Sequence, residues 1–121
     1  MLAAKAIETN DQGEVYRRRF EEMQRDFLKT LLTPEVVEEH RRSPQGQHSE
    51  ALERLLIYFR RGPQAGKYAI TADQQLKAYR IVALSGQRGV PPREVEDKVY
   101  ASAAEAQHGV FLRRVQDLLT S

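Results

Sequence analysis

The sequence predicts a mainly α-helical fold: a single small helical domain of about five helices with a minor two-stranded β element. Three observations lead there. Apolar residues recur at helical spacing along most of the chain, the longest series being Tyr16, Phe20, Met23, Phe27 and Leu31. Cap-forming residues and prolines divide these series into short units. The β-prone runs are few and brief, at Lys67–Ile70 and Lys98–Ala101.

In chain order, residues 1–13 carry few large apolar side chains, and Asn10-Asp11-Gln12-Gly13 reads as a loop. A flexible N-terminal arm over 1–13 is therefore expected ahead of the helical domain at 14–121. The first helix starts at Glu14. Its stripe from Tyr16 to Leu31 lies opposite Arg18, Glu21, Arg25 and Lys29, and Glu14–Arg18 and Glu21–Arg25 are favourable pairs one turn apart. Thr33-Pro34 opens a second helix to Arg42: Thr33 caps it, Pro34 suits the first helical position, and Glu35, Glu38 and Glu39 favour its N-terminal dipole. Ser43–His48 is a loop with Pro44 and Gly46. Leu52, Leu55, Leu56 and Phe59 mark a third helix, stopped at Gly62-Pro63.

The second half holds a weak internal repeat. In each copy a short β-prone run leads into Thr or Ser with Gln or Glu three residues on, Thr71–Gln74 and Ser102–Glu105. Such a pair is a capping box, so each copy reads as a strand feeding a helix. The helices should cover Ala72–Ser85 and Ala103–Leu119, separated by a Gly- and Pro-rich loop at Gly86–Pro92. The two strands would pair as a ribbon, marginal unless the helices cover it. The last helix has Ala104, His108, Phe111, Leu112, Val115, Leu118 and Leu119 on one face.

The chain is 121 residues long, enough for one domain without a metal or disulfide staple. Cysteine is absent, which removes thiolate metal sites and a cysteine nucleophile and fits a reducing compartment. No apolar run approaches the roughly 20 residues of a membrane span, and Met1–Ala6 has no secretory character, so a cytoplasmic protein is expected. The balance of 19 basic against 17 acidic residues does not by itself imply nucleic acid.

The search for chemistry returns little. His40 and His48 have no carboxylate at a spacing that completes a metal site, and His108 on an apolar helix face reads as a structural histidine. Ser85-Gly86 ends a helix and is no nucleophile elbow. Gly62, Gly66, Gly86 and Gly89 do not open a helix after a strand, so no phosphate cradle is formed. The expectation is no catalytic, metal or cofactor-binding residue. Arginine stands out, in Arg17-Arg18-Arg19, Arg41-Arg42, Arg60-Arg61 and Arg113-Arg114. These clusters suit helix C-termini and solvated faces, a protein interface, or phosphate contacts. Tyr58, Arg60, Arg61, Tyr68, Tyr79 and Arg80 are the candidates for contact with a partner, because tyrosine and arginine dominate interface hot spots. Alternatively, Tyr68 and Tyr79 cover the small strand pair.

Two stretches carry a resemblance. One is Leu55-Leu56-Ile57-Tyr58-Phe59-Arg60 followed by Gly66-Lys67-Tyr68 and Ala78-Tyr79-Arg80-Ile81; the other is Glu105-Ala106-Gln107-His108-Gly109-Val110-Phe111-Leu112-Arg113-Arg114-Val115. In order and spacing they resemble the small (alpha) subunit of N,N-dimethylformamidase, over about Pro34 to Leu119. The resemblance implies a helical accessory subunit packed on a large catalytic subunit, forming a hetero-oligomer. It also implies that a mononuclear iron, held by tyrosines and a glutamate, belongs to the large chain, which hydrolyses small N-substituted amides. Membrane and nucleic acid are not expected partners. The reading from a different class is a stand-alone arginine-rich nucleic-acid-binding module.

Overall fold

A computed structural model describes residues 2–61, 66–75 and 77–121, with side chains from Gln12 onward. Four helices and a three-stranded antiparallel sheet follow in the order α1 (Leu2–Thr30), α2 (Pro34–Arg42), α3 (Glu50–Arg60), β1 (Tyr68–Ala72), β2 (Tyr79–Ala83), β3 (Arg93–Glu94) and α4 (Ala103–Thr120).

Local signals set the ends of α2 and α4. Thr33 accepts the Val36 amide on its hydroxyl (3.2 Å), and Pro34 follows in the first turn. Ser102 accepts the Glu105 amide (3.1 Å), and the Glu105 carboxylate reaches back to the Ala101 amide (3.3 Å). Ser49 caps α3, and Glu39 accepts both its amide (2.6 Å) and its hydroxyl (2.7 Å), tying α2 to the start of α3. The expected stop at Gly62-Pro63 lies outside the described residues; α3 ends at Arg60.

Three expectations are corrected. The loop expected at Asn10–Gly13 is helical, since α1 runs unbroken from Leu2. One glycine costs a helix only about 1 kcal/mol, too little to stop one of 29 residues. The helix expected over Ala72–Ser85 is a turn and a strand, so four helices replace five among the described residues. Asp73 makes the turn: its carboxylate accepts the amides of Lys77 (2.8 Å) and Ala78 (3.2 Å), and its own amide donates to the Ala78 carbonyl (3.0 Å). Thr71 then lies in β1 opposite Arg80, unavailable as a cap. The aromatic and β-branched run Tyr79-Arg80-Ile81-Val82 enters the sheet centre, where Ile81, Val82 and Ala83 are buried. Among the described residues the sheet therefore has three strands, not two. Lys98–Ala101 contributes a single bridge, Tyr79 to Tyr100, and Arg93–Glu94 supplies the third strand.

α4 joins two cores. On one side Phe111 and Leu118 pack with Leu28, Val36, Leu52, Leu55, Leu56 and Phe59; on the other, Ala106 and Val110 pack with Ile81 and Tyr100. Ala104, Leu112 and Leu119, expected on its apolar face, are exposed. Gly109 sits where α4 crosses the sheet. A Cβ there would lie 2.6 Å from the Tyr100 hydroxyl oxygen and 3.0 Å from Ile81 Cδ1. Gly109→Val is expected to lower stability by about 1–3 kcal/mol through overpacking. A thermal melt checks this, and an unchanged Tm would contradict the close approach.

Candidate functional site

The rotation of α1 is fixed at its C-terminal end, where Leu28, Leu31 and Leu32 pack into the first core. N-terminal to that contact every described residue from Gln12 to Met23 is exposed, so Tyr16, Phe20 and Met23, with Phe27, form an open stripe where α1 stands clear of the cores. They are 71%, 67%, 66% and 50% exposed. The first four members of the apolar series that announced the helix are thus open while its last, Leu31, is packed, and four large side chains in one line exceed the scattered exposure of an ordinary surface. Beside the stripe runs a groove lined by Gln24, Phe27, Leu28, Arg54, Ile57 and Tyr58.

The groove leads to a recess of about 490 Å³ between α1, α3, β1 and α4. Its apolar walls are Tyr58, Phe59, Tyr68 and Leu118. Arg25, Arg61, Lys67 and Arg114 bring positive charge to it, and Glu21 and Asp117 bring negative charge. The recess thus unites Tyr58, Arg61 and Tyr68 of the candidates named from sequence. Tyr68 also serves the fold: its hydroxyl donates to Asp117 (2.6 Å), and burial, with that hydrogen bond, raises its pKa. Arg60 is exposed and is not among the residues lining the recess. Tyr79 and Arg80 lie elsewhere. The antiparallel register puts Tyr68 opposite Ala83 and Tyr79 opposite Ala72, at the two ends of the hairpin. Tyr79 packs on the second core, and Arg80 stands 3.8 Å from Glu94.

Arg113-Arg114 reads as one cluster in the sequence, but adjacent helical residues diverge by about 100°. Arg113 turns to the sheet and donates to the Val95 carbonyl (3.1 Å) and Glu96 (3.0 Å). Glu96 also accepts from the Tyr100 hydroxyl (2.7 Å). Burial, together with that bond, pushes the Tyr100 hydroxyl pKa up to about 12. Arg114 turns the other way, into the recess. Arg25, Lys67 and Arg114 were missed as site residues because the feature that unites them is a meeting of four elements, not a sequence motif.

The three histidines, far apart in sequence, form a row. His40 Nδ1 lies 3.0 Å from His108 Nδ1, so one ring carries its proton on Nδ1 and the other accepts. The His40 ring stacks on Phe111 (4.1 Å, 11°), and its centroid is 6.3 Å from that of His48. His48 Nε2 donates to the Ser43 carbonyl (2.6 Å), and its Nδ1 is 3.3 Å from Glu53. Burial first, then the neighbouring His108 and His48, lowers the His40 pKa to about 4. Burial also lowers that of His108, which bridges α4 to α2. Among the described residues, no three His, Asp or Glu side chains converge as a metal site. Nor is any described helix long and apolar enough to cross a membrane.

Residues 15–121 match the N,N-dimethylformamidase alpha subunit family. The N,N-dimethylformamidase alpha subunit of Alcaligenes sp is 40% identical over 88 residues, and that of Paracoccus aminophilus is 36% identical over 88. Each alignment covers 70% of this chain, but only 65% and 61% of the relatives, so the chain spans less than two thirds of their length. The family match begins at Val15 and therefore includes the exposed stripe of α1. The chain belongs to the N,N-dimethylformamidase alpha subunit family.

Proposed function

We propose that this chain is the small, non-catalytic subunit of an N,N-dimethylformamidase-like amidohydrolase. In this role it stabilises or completes a larger iron-dependent subunit that hydrolyses small N-substituted amides. The observation that carries the reading is the stripe Tyr16, Phe20, Met23, Phe27, open on α1 and inside the family-matched segment. Fully burying a Phe or Met side chain is worth about 1.5–3 kcal/mol, so covering four such side chains supplies a strong association term. Two clusters of titratable side chains are engaged within the fold, His40 with His108 and Glu96 with Tyr100 and Arg113. The iron, in this reading, is held by the larger chain.

Phe20→Asp is expected to leave the melt of the free chain unchanged, because Phe20 touches no core, while weakening association with a dimethylformamidase large subunit at least tenfold. Titration calorimetry of the two purified chains measures this, with iron content and amide hydrolysis followed in the complex. Unaltered affinity would remove α1 from the interface, and wild-type chains that do not associate would overturn the reading.

A further inference from the structure

The recess beside the groove is not balanced in charge. Its two acidic side chains, Glu21 and Asp117, face the four cationic ones, Arg25, Arg61, Lys67 and Arg114, and Asp117 also accepts the Tyr68 hydroxyl. Lys67 Nζ donates to the Arg60 carbonyl (2.7 Å), a neutral acceptor that leaves its charge uncompensated. Arg114 is half-buried, and among the described residues no carboxylate lies within ion-pair distance of it. Burial, with Arg60 close by, draws its pKa below the usual arginine value. A cation withdrawn from water without a partner costs free energy that an anion would recover.

The recess is also continuous with the apolar surface. Gln24, Tyr58 and Arg61 line both it and the groove along α1. A chain laid over Phe27 and Ile57 would therefore reach its mouth.

We propose that this recess receives an aspartate or glutamate side chain of the catalytic subunit, with Arg114 as its principal counter-charge. Arg61 and Lys67 flank the carboxylate, and Tyr58 and Tyr68 form the walls that exclude water from it. A planar guanidinium suits this task, since it can meet both carboxylate oxygens at once. The inference rests on the reading of the chain as an accessory subunit, and it names the chemistry by which the partner is recognised.

Arg114→Met keeps the apolar stem and removes the charge. Its melt should match or exceed that of the wild type. Its affinity for the large subunit should fall about 30-fold, chiefly through faster dissociation, as for truncation of a buried charge pair. Arg114→Lys should recover part of the loss, and Arg114→Glu should bind worse than Arg114→Met. If Phe20→Asp weakens assembly while Arg114→Met binds like the wild type, the carboxylate socket is overturned and the accessory role stands. If the wild-type chains do not associate, both fall. Should Arg114→Met fail to fold, Arg61→Met decides, because Arg61 is exposed. An unchanged dissociation rate in that variant overturns the proposal, and a faster one upholds it.

Discussion

Replacing Phe111 by alanine is expected to cost about 3–5 kcal/mol, the range for emptying a fully buried aromatic site. Its ring is 2% exposed, stacks on His40 at 4.1 Å and meets Phe59 edge-on at 6.0 Å. One side chain of α4 thus holds both α2 and α3. Removing it opens a cavity at their junction and exposes His40 to water. For a chain of this size the Tm should drop by on the order of 10–20 °C. Leu112, the next residue on the helix, is 44% exposed, and Leu112→Ala should cost under about 1 kcal/mol. Similar melts for the two variants would refute the central place given to Phe111.

Acidification should begin to weaken the fold above the range in which carboxylates titrate. His40 faces His108 from α4 and His48 from the loop before α3, and its pKa is lowered from 6.5 to about 4. Near His108 stand Arg41, which lowers its pKa further, and Glu38, which opposes the shift. The unfolded chain takes up a proton on His40 below pH 6.5 that the folded chain refuses until near pH 4. The stabilising contribution is therefore whole above pH 6.5 and is lost as pH falls toward 4. It amounts to about 3 kcal/mol in total, some 2 kcal/mol of it by pH 5. Denaturant unfolding between pH 7 and 5 measures the slope. In His40→Gln that slope should be much shallower; an identical slope would assign the effect to other groups.

What the sequence revealed was set by interactions between near neighbours. The limits of α2 and the start of α4 follow from Thr33, Pro34, Ser102 and Glu105, each acting within one turn. Membership of the family was legible too, because its residues follow one another in order. The segment Tyr79–Ala83 was not, since a short apolar run fits either period and only pairing with β1 decides between them. The open length of α1 was hidden for a related reason. Its periodicity announces a helix, but only the tertiary structure shows that the described residues up to Met23 stand clear of the cores while Leu28, Leu31 and Leu32 pack. The contact of His40 with His108 spans 68 residues and is a product of tertiary packing, so neither position announces it in the sequence.

The open stripe on α1 has a consequence for how the protein is supplied. It presents an apolar strip about 16 Å long to any molecule it meets while unassembled. If the stripe is the subunit interface proposed above, orphan copies should stick to one another or to chaperones and be cleared faster than assembled ones. On the proposed reading of the chain as an accessory subunit, synthesis in step with its partner becomes a condition for its survival, and its abundance a readout of how much partner is present.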